Sequence, residues 1–290
     1  MAEVTVRVLR EEHREALAAF LNRRPDTHVF LRSNLAKGGM EDDGKRNDGT
    51  WVGTVRDDGT VTSVAVLLSS GVCLLQTPAH IHEILDMLAA AAPRQPTMMC
   101  GPTDQIEHGL LHGLVRDRSL QSRHDAVVMN LAVAQLRVPP SLETRQVDAR
   151  PPMGEELALL GEWHAAFNDE VFSDPRSPEA DLKARQWVRA VHDERRDTIA
   201  TVEDKPVSYC AITASLDDEV NIGAVYTPPE LRGRGYAQCA VAATLRDVAR
   251  DGVQRACLTA MKDNPSSIRT YTAIGFTPAF DWTIARFFPE

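Results

Sequence analysis

The chain has 290 residues, 43% apolar and 25% charged, with a net charge of −9. That length suits two domains, each able to bury its own core. The acidic balance disfavours bulk electrostatic binding of nucleic acid or an anionic membrane and mildly favours cationic amines.

In chain order, Val4–Leu9 alternates as a strand, 11–22 reads as helical, and 26–35 reads as a second helix. The stretch 41–50 (EDDGKRNDGT) reads as a mobile surface loop without EF-hand spacing. Trp51–Val55 and Val61–Leu68 form a hairpin candidate around Asp57-Asp58-Gly59. Strand Val72–Gln76, a helix from His80 to Ala92, strand Thr97–Cys100, a helix to Leu114 and strand Ala126–Val133 follow. A proline-punctuated link, Val138-Pro139-Pro140-Ser141, then marks a boundary between domains 1–138 and 139–290.

The second half repeats the rhythm. It predicts a first strand over Leu142–Val147, a helix from Gly154 to Glu170 and a helix over Pro178–Asp193. Strands Thr198–Val202 and Val207–Ser215 follow, then an acidic turn at Asp217-Asp218-Glu219. Residues 224–237 read AVYTPPELRGRGYA. Val225-Tyr226-Thr227 suits a strand, and Pro228 and Pro229 must end it. Arg232-Gly233-Arg234-Gly235 permits a tight turn that a ligand can approach closely. The stretch from Tyr236 to Arg250 has helical spacing, so its first N–H groups and positive dipole end would face the turn, as at a phosphate site. Strand Ala256–Met261, a helix opened by Asn264-Pro265 and stopped at Gly275, and strand Pro278–Phe288 complete the chain.

A Walker loop would need Gly-Lys-Ser/Thr, and a dinucleotide fingerprint a third glycine and an acidic residue after the next strand; neither is present. R-x-x-G-x-A at 232–237 after V-Y-T-P-P, followed by Asn264, Ser267, Tyr271 and Ile274-Gly275-Phe276, instead resembles the two acyl-CoA motifs of the GCN5-related N-acetyltransferase (GNAT) family. The resemblance implies an α/β fold with two GNAT-like units in tandem, each a mixed, mostly antiparallel sheet flanked by helices. The first is degenerate, because QTPAHIHEIL stands where the cofactor turn should be.

It also implies an acetyltransferase that uses acetyl-CoA as co-substrate. The cofactor would lie along Val225, Tyr226 and Thr227, on the turn Arg232, Gly233, Arg234, Gly235, Tyr236 and Ala237, and against Asn264 and Ser267. Tyr271 would be the general acid. The acceptor would be a primary amine of a small molecule (an amino acid, polyamine, aminosugar or antibiotic), attacked directly in a ternary complex. The alternative is a non-catalytic acyl-CoA sensor or scaffold.

The glutamate that parts of the family carry in the strand before the turn is missing from Val220–Thr227. Glu170 is the replacement base, since Trp163, Phe167 and Glu170 share a helix face at i, i+4 and i+7. The other reading of that face is two core aromatics beside a surface carboxylate. His164 could shuttle protons if it faced the cleft, or be a core residue. Asp217-Asp218-Glu219 reads as an exposed turn or the lip of the substrate mouth. No metal is expected at His80 and His82 or at His108 and His112, which lack a third ligand.

The five cysteines, Cys73, Cys100, Cys210, Cys239 and Cys257, are widely spaced without C-x-x-C, so a reducing cytoplasm without disulfides or zinc is expected. The N-terminus lacks a signal-peptide core, and no apolar run is long enough to span a membrane. A monomer or homodimer is expected, with no nucleic-acid or membrane partner.

Overall fold

A computed structural model describes residues 4–23, 29–45 and 47–288. Contacts divide the chain into two compact units, one running to Ala126 and resuming at Phe280, the other Val127–Ala279. The first unit contains β1 (Val4–Val8), α1 (Arg14–Asn22), α2 (Val29–Lys37), β2 (Gly49–Arg56), β3 (Val61–Leu68), β4 (Val72–Gln76), α3 (Ile81–Ala91), β5 (Met98–Pro102) and α4 (Thr103–Leu110). The chain leaves it along β6 (Leu120–Ala132). The start of the second predicted helix, 26–28, lies outside the described residues.

The second unit contains the short α5 (Pro140–Glu143), β7 (Asp148–Arg150), α6 (Leu157–Phe172), α7 (Pro178–Asp193), β8 (Asp197–Val202), β9 (Lys205–Ser215), β10 (Glu219–Tyr226), α8 (Tyr236–Arg250), β11 (Arg255–Met261) and α9 (Pro265–Ala273). The chain leaves it along β12 (Thr277–Phe287). Apart from α5, both halves follow the element order expected from the sequence.

The last strands are exchanged. Within the first unit the strand order is β1-β2-β3-β4-β5-β12, and within the second it is β6-β11-β10-β9-β8-β7. Thus β12 pairs antiparallel with β5, from Trp282↔Pro102 to Arg286↔Met98. The pairing in each unit is mixed, with parallel pairs β4–β5 and β10–β11 among antiparallel ones.

The units therefore part within β6, whereas the proline link lies inside the second unit. That link is not a spacer: Arg137 N donates to Ile274 O at 3.0 Å, and Leu136 and Leu142 pack on the second unit's core. The strand expected over Leu142–Val147 is instead the helical turn α5 and a bend. Pro140 at its first position sets a helical start, and Val147 N closes back on Ser141 O at 3.0 Å. In the 41–50 segment Asp42 is fastened, since Arg94 grips both oxygens of its buried side chain at 3.0 Å, and β2 begins at Gly49.

Strand alternation sorts the second unit's core onto two faces. Cys210 and Ile212 of β9 meet Val241 and Leu245 of α8 on one, while Tyr209 and Ala211 meet Leu160 and Trp163 of α6 and Val188 of α7 on the other. Local signals fix the helix starts. Ser177 Oγ accepts Ala180 N–H at 3.1 Å with Pro178 next in the chain, and Asn264 Oδ1 accepts Ser267 N–H at 3.1 Å with Pro265 next. The first unit's core brings Leu75, Leu85 and Met99 together with Ala285 and Phe287 of β12.

Candidate functional site

A cleft of about 610 Å³ opens in the second unit between the end of α6, the glycine turn and α9. The break in the sheet comes from β10. Its parallel register with β11 ends at Ile222↔Leu258, and a bulge between Gly223 and Tyr226 shifts its register with β9. Ala224 sits at φ 48° within that bulge, a left-handed conformation that re-aims the backbone around it. Beyond Ile222, β10 therefore leaves β11, and Val225 and the Thr227 that follows the strand line the cleft.

The turn after Pro228 and Pro229 supplies the floor. Gly233 and Gly235 have φ of 77° and 79°, and Gly235 is the N-cap of α8 without a side-chain cap. A Cβ on Gly233 would meet nothing within 4 Å, so space does not demand a glycine there; the backbone conformation does. The first intrahelical bond runs from Cys239 N to Gly235 O at 3.1 Å. Among the described residues, the amides from Gly233 to Gln238 have no backbone acceptor, and they gather at the positive end of a fifteen-residue helix.

Of the residues singled out in the sequence, Glu170, Val225, Tyr226, Thr227, Arg232, Gly233, Gly235, Tyr236, Ala237, Asn264, Ser267 and Tyr271 all line this cleft. Arg234 does not; its guanidinium turns back toward Glu230 O at 3.4 Å. Tyr226 contributes mainly backbone, because its ring is buried against Trp163 at 6.2 Å. Asn264 Oδ1 is committed to capping α9.

The Tyr271 ring is half-buried on the α8 face of the core and meets Phe276 edge-on at 6.1 Å. Burial pushes its phenol above the ordinary range, with the nearby Cys210 adding to the effect, so it remains a proton donor through neutral pH.

Glu170 is not a free carboxylate. Its Oε2 accepts Arg232 Nη2 at 2.6 Å, while Arg232 Nε donates to Thr227 O at 2.9 Å and the guanidinium lies 5.7 Å from the Tyr226 ring centre. The hydrogen bond that Arg232 donates to Glu170 raises the Arg232 pKa. Trp163 belongs to the core and Phe167 lines the cleft, so the shared helix face divides between both readings. His164 is buried, stacked 3.9 Å from Trp187, and desolvation lowers its pKa to about 4; it lies off the cleft lining. Asp218 and Glu219 both pair with Arg255, at 2.6 and 3.6 Å, and Asp217-Asp218-Glu219 has no place in the cleft lining.

The corresponding connection in the first unit is built differently. The connection from Thr77 to α3 lacks the long glycine turn, and His80 holds the left-handed N-cap position, at φ 61°, that Gly235 holds in the second unit. The buried Gln105 Oε1 accepts the Thr77 N–H at 2.6 Å, just after β4. Among the described residues no group of His, Cys, Asp or Glu could hold a metal, and no helix is long and apolar enough to cross a membrane. His112 is engaged with Asp86 at 3.0 Å, and all five cysteines are buried and none forms a disulfide.

Residues 158–276 match the model of the Acetyltransferase (GNAT) family, which covers the cleft and leaves the first unit unmatched. A solved Drosophila protein aligns over 98% of both chains with a TM-score of 0.70 and 13% identity. A tandem GNAT protein from the clavulanic acid biosynthesis pathway aligns over 99% of this chain and 100% of its own, with a TM-score of 0.58 and 14% identity. An N-acetyltransferase from Kribbella flavida aligns over 97% of both chains, with a TM-score of 0.56 and 16% identity. These likenesses carry the tandem fold. No curated protein matches the chain.

Proposed function

Starting from a second unit that belongs to the acetyltransferase (GNAT) family, we propose that the chain transfers the acetyl group of acetyl-CoA to the primary amine of a small molecule, by direct attack in a ternary complex. The observation that carries this reading is the row of unpartnered amides from Gly233 to Gln238 at the mouth of α8, inside a cleft that Tyr271 also lines. Those amides and the helix dipole suit a diphosphate, and the β10 edge beyond Ile222 suits an extended amide-bearing arm.

Acetyl-CoA supplies a thioester-activated acetyl group. The residues present need do little more than bind and move protons. The backbone amide near Val225 is the donor for negative charge developing on the acyl oxygen. Glu170, on the α6 wall, takes the ammonium proton through water, leaving a neutral amine to attack. Tyr271, kept protonated by its raised pKa, donates its phenolic proton to the sulfur as the C–S bond breaks. The second proton shed by the new amide nitrogen restores the phenol. The net charge of −9 favours a cationic amine as acceptor.

A thiol-release assay with acetyl-CoA and a panel of small amines tests the proposal. Release that depends on one class of amine is the expected result. Tight acetyl-CoA binding without release from any amine would replace the enzyme with an acyl-CoA sensor.

A further inference from the structure

The Glu170–Arg232 ion pair ties the last turn of α6 to the glycine turn, and both residues line the cleft. Arg232 is anchored at two other points, by Nε to Thr227 O and by its plane over Tyr226, and only Nη2 reaches Glu170. The two side chains are 43% and 44% exposed, so the pair is weak and can be exchanged. A diphosphate at the α8 N-terminus brings more negative charge than one carboxylate and also engages the row of amides. A guanidinium favours that richer, planar acceptor.

We propose that this ion pair is a latch opened by the cofactor: the diphosphate draws the Arg232 guanidinium away from Glu170, and the freed carboxylate then becomes the proton acceptor for the amine. The inference rests on the acyl-CoA reading of the cleft and adds to it an order of events. Before the cofactor arrives, Glu170 is neutralised by Arg232 and cannot prepare an amine. Afterwards the same carboxylate is unpaired beside the cleft. Glu170 thus opposes cofactor binding and supports turnover, two effects that a purely structural salt bridge would not combine.

Calorimetric titration of acetyl-CoA into the full chain, into Glu170→Gln, into Arg232→Ala and into the double variant tests the latch. Glu170→Gln should bind acetyl-CoA about three- to tenfold more tightly, because a competing charge is gone, while its turnover with the accepted amine falls. In the Arg232→Ala background the same substitution should give no further gain. Unchanged or weaker binding by Glu170→Gln would overturn the proposal, since Glu170 would then be positioning Arg232 for the anion. A gain that persists without Arg232 would overturn it too, by showing simple repulsion. Failure of the unaltered chain to bind acetyl-CoA would remove the acyl-CoA reading itself, and the latch with it.

Discussion

Tyr271 and His164 show how burial sets the protonation of single side chains on opposite faces of one sheet. The Tyr271 phenol is held above its ordinary value, so it stays protonated below that raised value and is lost as a donor only in strong base. Tyr271→Phe should lower turnover about tenfold to a hundredfold with little change in acetyl-CoA affinity, read by steady-state kinetics beside calorimetry. Equal turnover would remove Tyr271 from the mechanism. His164 is displaced in the other sense, from 6.5 to about 4, because its stacked, 8% exposed ring is costly to charge. The unfolded chain therefore binds a proton that the folded one refuses. The contribution is complete above about pH 6.5 and is lost as pH falls toward 4, an effect on the order of 3 kcal/mol. Unfolding measured between pH 7 and 4 should show a shallower acid loss for His164→Phe than for the unaltered chain. Parallel curves would contradict that assignment.

At the scale of elements, helix caps were the most legible feature of the sequence. The α7 and α8 boundaries coincide with expectation because Ser177-Pro178 and Gly235-Tyr236 are local start signals. The cap on α9 is legible for the same reason, and Asn264→Ala should cost about 1 kcal/mol in denaturant unfolding by removing the side-chain acceptor of Ser267 N–H, which keeps only the Asn264 carbonyl. No measurable loss would show that the cap is dispensable. Features that depend on distant residues were not legible. The pairing of Glu170 with Arg232 joins a helix end to a loop, and no local spacing announces it. The bulge at Ala224 arises where β10 keeps its pairing with β9 but leaves β11, a contest between two neighbours that one strand's sequence cannot show. The Leu142–Val147 strand failed because Pro140 suits the first position of a helical turn, and only Leu142 and Val147 of that stretch are apolar.

For the molecule as a whole, the repeat of element order was legible but the exchange of closing strands was not. β6 and β12 both alternate, and alternation says that a strand exists without saying which sheet receives it. The exchange predicts that the first unit depends on the end of the chain. Phe287, 2% exposed in that unit's core, should cost about 3–5 kcal/mol as Phe287→Ala. Hydrogen exchange should then accelerate in β4 and β5 while α8 keeps its protection. Equal acceleration in α8, or none in β5, would contradict the division of the core.

The two units also differ at their turns. The first has no glycine turn and commits Thr77 N–H to Gln105, whereas the second has a glycine turn whose amides face a cleft. Calorimetric titration of acetyl-CoA into the unaltered chain and into Gly235→Trp reads that difference directly. Saturable binding by the former and none by the latter is the predicted result, because the indole would occupy the ground over which the amides face the anion and would strain the left-handed N-cap. Equal affinity in the two proteins would place the diphosphate elsewhere and contradict the account.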